Sequence, residues 1–210
     1  MSRLSRCLSR RGLLTLLAAV LSISLGWRSS DAAANADDAR TLIQSLGLQV
    51  LEILGDDELS DRGKFDRLVI LLEGPIDLDL VARLILGRHW RSASGEQRTE
   101  YLDLFRAYAL DNLASKLHLY QGEQFDITDA KVVSEDDSLV FTRILSKQGP
   151  PLKVDWRLRR RDDGDLVAID VLVEGVSLIV SQRSEFGAVI ERQGMDGLLT
   201  ELRTRVEREA

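Results

Sequence analysis

The spacing of apolar residues changes twice along this chain of 210 residues. Up to about Tyr120 the apolar side chains recur every three or four positions, which is the spacing of amphipathic helices. From Phe125 to about Glu174 they alternate with polar side chains, as in strands, and the helical spacing returns beyond Gly175. A block of strands between two blocks of helices predicts an α+β domain, with a twisted antiparallel sheet of about four strands wrapped by N-terminal and C-terminal helices.

Three turn signals divide the alternating block into about four strands. They lie at residues 134–137, 148–150 and 162–164, where Ser, Asp, Gly and Pro cluster. Because these connections are short, consecutive strands are expected to be antiparallel neighbours. One face of the third strand is predicted to carry Leu152, Val154, Trp156 and Leu158. One face of the fourth is predicted to carry Val167, Ile169, Val171 and Val173.

Capping residues predict where several helices begin and end. Asp77 is placed to cap the N-terminus of one helix, and Gly87 is placed to end it. Ser94 and Gln97 have the spacing of a capping box, which opens a long helix running to about Tyr120.

Two glycines are predicted to shape the C-terminal part of the chain. Gly175 is placed at a turn that leads from the last strand into a helix. Gly194 separates two amphipathic helices that follow.

The first 34 residues have the pattern of an export signal. Four arginines precede an apolar run from Leu13 to Gly26, and Ala32–Ala34 supplies small residues for cleavage. The run is shorter than the roughly 20 residues that span a bilayer, which favours a cleaved signal over a permanent anchor. Ser9–Leu14 fits a twin-arginine pattern, although paired arginines also occur in general export signals. We therefore predict a signal peptide over residues 1–34 and a single exported domain over residues 35–210.

Loss of the predicted signal makes the remaining chain strongly acidic. Cleavage would remove five arginines and one aspartate, so the formal net charge would change from −6 to −10. Such a surface repels nucleic acid and anionic membranes. The single cysteine, Cys7, would leave as well, so the domain must rely on its core rather than on disulfides.

The sequence shows no catalytic or metal-binding pattern. It has no glycine-rich phosphate loop and no nucleophile elbow. The two histidines, His89 and His118, fall on different predicted elements, and residues 162–165 lack the ligand spacing of a calcium loop. We therefore expect no metal site, no cofactor and no enzymatic activity.

Two stretches carry a resemblance to a known family. The first contains L-G-R-x-W-R at Leu86–Arg91, and the second contains V-E-G-V-S-L at Val173–Leu178. With the flanking residues 76–85, 154–158 and 194–199, they resemble the MlaC family, also called toluene-tolerance or Ttg-type proteins. The order and spacing of these segments agree over nearly the whole chain beyond residue 34.

The resemblance implies a lipid carrier of the Gram-negative periplasm. Such proteins receive glycerophospholipid from an outer-membrane lipoprotein complex and deliver it to an inner-membrane ABC transporter with a lipid-binding ring subunit. This transport maintains the lipid asymmetry of the outer membrane. The implied fold is a strongly curved antiparallel sheet with surrounding helices, and the acyl tails lie in an apolar cavity between them.

The residues expected to line such a cavity point inward from the predicted sheet and helices. They are Leu84, Phe105, Tyr108, Val154, Trp156, Leu158, Val171, Val173, Leu178, Ile179 and Phe186. Three arginines are candidates for contact with a phosphate headgroup: Arg88, Arg91 and Arg183. Two alternatives stay open at this point, a hopanoid as cargo in place of a phospholipid and a periplasmic adaptor without any ligand.

Overall fold

The computed structural model describes residues 27–146 and 149–209, and the basic head and apolar run of the predicted signal lie outside this part. The helices are α1 (Trp27–Leu54), α2 (Asp61–Leu72), α3 (Leu78–Leu86), α4 (Arg88–Ser92), α5 (Gly95–Ala114) and α6 (Leu178–Glu209). The strands are β1 (Gln124–Val132), β2 (Asp137–Leu145), β3 (Leu152–Arg160), β4 (Leu166–Val173) and β5 (Val176–Ser177). No helix in the described ranges has the length and apolar character needed to cross a membrane.

The five strands form one open antiparallel sheet in the order of the chain, β1 to β5. This confirms the predicted α+β class and the four longer strands, whereas the short β5 was not expected. Glu174 and Gly175 both have positive φ angles, 49° and 79°, and they form a two-residue turn that pairs Val173 with Val176. Gly175 therefore closes a hairpin instead of leading directly into a helix.

A bulge in β4 changes which residues of this strand share a face. Arg157 pairs with Asp170, but the next pair is Leu158 with Ala168, so Ile169 is an extra residue without a partner on β3. Val171 consequently lies on the same face as Ala168. The predicted face of four alternating residues from Val167 to Val173 was wrong, because period-two counting cannot detect an inserted residue.

The predicted helix caps are confirmed by hydrogen bonds. The Asp77 carboxylate accepts from the Leu80 N–H at 2.9 Å, and Gly87 ends α3 with a φ of 53°. Ser94 and Gln97 form both bonds of the capping box. The helix that they open, α5, ends at Ala114 and not near Tyr120, and a 3₁₀ turn follows at Leu117–Leu119.

Gly194 interrupts α6, as expected. Its φ of 73° and ψ of −178° are not helical, so α6 consists of two helical segments, 178–193 and 195–209. The two segments together bring Phe186, Val189, Leu198 and Leu202 into one buried cluster.

The buried side chains form two separate clusters. A helical core joins α3, α5 and α6 around Tyr101, whose ring contacts Phe186 edge to face and Phe105 in a tilted arrangement. Burial raises the pKa of Tyr101 well above its ordinary range, and its hydroxyl donates to the Ala82 carbonyl at 3.1 Å. A sheet core joins α1 to one face of β1–β3, with Ile43 and Leu158 at its centre.

The segment between α2 and α3 covers the outer edge of β4. The Ala168 N–H donates to the Pro75 carbonyl at 2.8 Å, and Ile76 forms a bridge with Ala168. β5 protects only the far end of the same edge, at Leu172 and Val173. The α2–α3 connection is thereby tied to the sheet, which satisfies an edge that would otherwise expose unpaired backbone groups.

A buried carboxylate ties β2 to β3. Asp137 is only 2% exposed, and it accepts hydrogen bonds from Arg157 at 2.6 Å and from Arg159 at 2.7 Å. Burial by itself raises the pKa of Asp137, but the hydrogen bonds from Arg159 and Arg157 outweigh it and hold this pKa below its usual value.

Replacing Asp137 by asparagine should lower the free energy of unfolding by about 2 kcal/mol at pH 7, because the partly exposed guanidinium groups would lose their buried partner. A carboxyl group whose pKa is lower in the folded than in the unfolded protein stabilises the folded state fully above its unfolded pKa of about 3.9. This contribution is lost as the pH falls towards the pKa of the group in the folded protein. The difference between wild type and variant should therefore shrink below about pH 4. Urea unfolding at pH 7 and pH 3.5 measures this, with the exposed turn variant Asp162→Asn as control. A difference that is the same at both pH values would contradict the role assigned to the charge.

Candidate functional site

An apolar pocket of about 220 Å³ lies where the two cores meet. Phe105 and Ile85 come from the helical core, and Trp156 comes from the sheet core. The full lining, called the apolar pocket below, consists of Ile76, Leu78, Val81, Ile85, Phe105, Tyr108, Ala109, Trp156, Ala168, Ile169, Asp170, Val171, Leu178, Ile179 and Gln182.

Trp156 is held in place from the sheet. Its indole N–H donates to the Thr142 hydroxyl at 3.2 Å, and that hydroxyl in turn donates to the Val154 carbonyl. Trp156 also pairs directly with Val171 across β3 and β4. The polar end of the indole is thus satisfied on β2, and its apolar surface contributes to the pocket.

The polar side chains of the pocket are engaged in bonds that join its walls. The Asp170 carboxylate accepts from the Ser177 hydroxyl and from the Ile179 N–H at 3.1 Å, so it caps the first turn of α6 from β4. Gln182 accepts from the Tyr108 hydroxyl at 3.4 Å. A cap supplied from a neighbouring strand has no local sequence signature, so this role of Asp170 could not be predicted from the sequence.

A second cavity, called the groove below, adjoins the pocket and has a volume of about 520 Å³. It runs between α2 and α5 and is lined by Val69, Leu72, Glu73, Gly74, Ile76, Asp77, Leu78, Asp79, Arg106, Ala109, Leu110, Leu113 and Arg161. Ile76, Leu78 and Ala109 line both cavities, so these three side chains form a common wall.

Ion pairs border the groove on both sides of Leu78. Arg106 contacts Asp79 at 3.1 Å, and Arg161 contacts Asp77 at 3.5 Å. The Arg161 side chain also contacts two carboxylates of its own turn, but its Nε is buried without a hydrogen-bond partner among the described residues. Such exposed pairs add little stability individually, but they give four of the charged side chains that line the groove a partner of opposite charge.

Six of the eleven residues predicted to line a lipid cavity lie in the apolar pocket. They are Phe105, Tyr108, Trp156, Val171, Leu178 and Ile179. Among the others, Phe186 and Leu158 are fully buried in the helical and sheet cores, and Val154 is 9% exposed. Leu84 packs on the outside of the helical core, and Val173 pairs with Val154 and Val176 near the hairpin.

Several pocket residues were missed for two different reasons. Val81, Ile85 and Ala109 belong to apolar helix stripes, in which a residue beside a cavity looks the same as a residue in solid core. Ile76 and Leu78 flank the cap residue Asp77, and only the attachment of this segment to β4 brings them to the pocket.

The three candidate headgroup arginines lie away from both cavities. Arg183 donates to the Leu84 carbonyl and closes the C-terminus of α3, and Arg88 pairs with Glu191 at 2.7 Å. The Arg91 side chain is exposed, and its carbonyl accepts from Arg98 at 3.1 Å. A contact between these arginines and a ligand stays a prediction.

The Leu86–Arg91 motif, which contains Arg88 and Arg91, forms the junction between α3 and α4. The guanidinium groups of Arg83 and Arg98 both lie over the Trp90 ring, at 5.3 Å and 5.4 Å from its centroid. Arg98 also donates to the Trp90 carbonyl at 2.8 Å. In the described part of the chain, no group of three or more His, Cys, Asp or Glu residues is arranged to hold a metal ion.

The fold and the site define a class of protein in which helices close over an open antiparallel sheet and leave an apolar pocket at the junction. Comparison with known sequences identifies the family within this class. The model of a family described as "MlaC protein" matches residues 44–204. The chain belongs to the MlaC family.

Two of the proteins that are similar to this chain are informative. One is the "Intermembrane phospholipid transport system binding protein MlaC" of Haemophilus influenzae, which is 22% identical over 130 residues. That match covers 60% of this chain and 61% of the relative, so the chain spans less than two thirds of the relative's length. The other is the solved structure of a phospholipid-binding protein from Ralstonia solanacearum in complex with a phospholipid. It has a TM-score of 0.68 and 22% identity, and the match covers 80% of this chain and 97% of that one, which establishes the shared fold.

Proposed function

We propose that this protein is a carrier that binds phospholipid, with the apolar pocket enclosing part of the acyl tails. The observation that carries the proposal is the pocket itself, in which Phe105, Trp156, Val171 and Ile179 form apolar walls between the two cores. Its polar groups, Asp170 and Gln182, already have partners within the protein. Membership of the MlaC family and the phospholipid named for both relatives support the same ligand.

The free energy of moving a lipid through water explains the use of such a pocket. Burial of one methylene contributes about 0.8 kcal/mol, so two long chains with roughly 30 methylenes cost about 25 kcal/mol when they are exposed to water. A lining of apolar side chains removes this cost for the methylenes that it covers. Affinity must stay comparable to that of a membrane, or the lipid would not be passed on.

The mouth of the pocket is suited to lipid entry. Leu178 lines the pocket and is 50% exposed, and its neighbours Val176 and Val180 are 58% and 60% exposed. An apolar group of this kind, next to a cavity, offers a continuous path for an acyl chain from a donor into the protein.

We further propose the location and the partners of the carrier. Residues 1–34 would direct it to the periplasm as a cleaved signal. There it would take phospholipid from an outer-membrane lipoprotein complex and deliver it to the lipid-binding ring subunit of an inner-membrane ABC transporter. This cycle would maintain the lipid asymmetry of the outer membrane, and it would use binding and release without chemical change of the lipid.

Native mass spectrometry with lipid extraction tests this function directly. The protein is purified from a periplasmic fraction without detergent and is also incubated with phospholipid vesicles. A two-chain phospholipid bound at a one-to-one ratio is the expected result, whereas a hopanoid would retain the carrier and change its cargo. Protein that emerges empty and takes no lipid from vesicles would contradict the proposal and favour an adaptor without ligand.

A further inference from the structure

A cluster of arginines lies where the ends of α3 and α4 meet the first segment of α6. Two of its members lie over the Trp90 ring, and one of these also donates to the carbonyls of Trp90 and Arg91. A third reaches from α6 to the Leu84 carbonyl. The cluster, called the basic corner below, consists of Arg83, Arg88, Arg91, Arg98 and Arg183.

The positive charge of the basic corner is largely uncompensated. Within the described ranges, Arg88 is the one member that pairs with a carboxylate, that of Glu191 at 2.7 Å. Most arginines in the rest of these ranges have such a partner, as Arg106 has in Asp79. The basic corner is therefore a positive patch on a chain whose formal net charge is −6.

Helix capping accounts for only part of this cluster. Arg98 and Arg183 donate to carbonyls in the last turns of α4 and α3, where the helix dipole favours a cation. In the part of the chain that the structure describes, neither Arg83 nor Arg91 donates a side-chain hydrogen bond or forms an ion pair. Their N–H groups remain available to a ligand, because a guanidinium carries five of them.

A depression of about 510 Å³ lies beside the basic corner, between α4 and α6. Arg88 and Arg183 line it together with four small residues, which are Gly87, Ser184, Gly187 and Ala188. A Cβ atom added at Gly187 would meet open space. A polypeptide segment can therefore approach the backbone of α6 closely while its side chains reach the arginines.

We propose that the basic corner and this depression form a docking surface for an acidic segment of another protein. Carboxylates match the fork of N–H groups that a guanidinium presents, and several such contacts fix a segment in one orientation. An anionic membrane is a poorer occupant, because its extended surface would also face the acidic remainder of the molecule. A short segment confines its negative charge to the basic corner.

The docking surface is separate from the lipid site. No member of the basic corner lines the apolar pocket or the groove. The inference therefore goes beyond the proposed function and does not depend on which ligand the pocket binds.

Two substitutions test the surface without removing a contact that the fold needs. Arg91→Glu reverses a charge whose side chain has no hydrogen bond or ion pair in the described ranges. Gly187→Leu fills the depression, and it should not weaken α6, because the added Cβ meets no atom within 4 Å and leucine favours a helix more than glycine does.

Each substitution has a matched control. Arg143→Glu reverses the charge of an exposed arginine on β2, outside the basic corner. Gly95→Leu changes a glycine whose surroundings are equally open, in a different depression lined by Glu96 and Asp103. Thermal melts of all four variants establish that they are folded.

Binding of a fluorescent peptide of about ten glutamates is measured by anisotropy at about 0.02 M and about 0.3 M salt. Arg91→Glu and Gly187→Leu should each weaken binding by at least about fivefold at low salt, the controls should bind as wild type does, and high salt should weaken binding. Wild type that does not bind the peptide would overturn the inference, as would equal losses in Arg91→Glu and Arg143→Glu or unchanged binding in Gly187→Leu. The assay contains no lipid, so its failure is distinct from failure of the proposed function.

Two measurements on the wild-type protein complete the test. A photoreactive version of the same peptide should cross-link to segments that contain His89 or Ser184, and cross-links confined to other segments would overturn the inference. Vesicles with and without phosphatidylglycerol test the membrane as occupant. Co-sedimentation with the anionic vesicles that is lost in Arg91→Glu would identify a membrane site and overturn the proposed protein partner.

Discussion

Replacing Ala109 by tryptophan should reduce the lipid that co-purifies with the protein by at least tenfold. Ala109 lies in the wall common to the apolar pocket and the groove, so an indole at this position occupies space in both. Displacing even two methylenes from apolar contact costs about 1.6 kcal/mol, which is more than a factor of ten in affinity. Lipid extraction from protein purified without detergent, followed by vesicle uptake, measures the loss.

The control is Ala107→Trp on the same helix. Ala107 borders a different surface depression together with Asp111 and Ala114, and it contacts neither cavity. This variant should retain wild-type lipid content, and both variants should remain folded in a thermal melt. Equal lipid content in Ala109→Trp and wild type would exclude the wall region as part of the tail site.

Replacing Phe186 by alanine should lower the free energy of unfolding by about 3–5 kcal/mol, the usual cost of removing a buried phenyl ring. Phe186 is 1% exposed, and its ring contacts those of Tyr101 and Tyr108 in the helical core. The substitution leaves a cavity that the surrounding α3, α5 and α6 cannot fill, because the neighbouring side chains already pack closely. Denaturant unfolding at equilibrium measures the change.

Leu178→Ala is the matched comparison, since both residues were predicted to line a lipid cavity. Leu178 lies at the pocket mouth and is 50% exposed, so its truncation should cost less than about 1 kcal/mol in stability. It should nevertheless weaken lipid uptake, because it removes apolar surface from the entry path. A large loss of stability in Leu178→Ala with unchanged lipid uptake would contradict this assignment and indicate that Leu178 is a core residue.

Local sequence signals were sufficient for most secondary structure. The Ser94–Gln97 capping box, the Asp77 cap and the non-helical Gly194 all depend on residues within a few positions of one another. Their hydrogen bonds form within a single turn, so a single sequence carries the whole signal. The four longer strands were predictable for the same reason, because alternation is a local property.

The candidate site was predictable only in part. Phe105, Trp156 and Val171 lie in the pocket as expected, and Phe186 and Leu158 lie in the cores. An apolar stripe indicates that a residue is turned away from water, but it does not indicate whether another side chain or a cavity faces it. The bulge at Ile169 and the cap supplied by Asp170 likewise depend on partners on other elements.

The sequence by itself determined the α+β class, the turns and caps, and the set of side chains that must leave water, because each depends on local geometry or on transfer from water. Only the tertiary structure decided that α1 packs closely enough on β1 to place Gly47 against the Phe125 ring. It also decided that the α2–α3 connection pairs with β4 and places Ile76 and Leu78 between two cavities. These contacts join residues far apart in the chain, and their geometry follows from how two cores meet, which no local pattern records.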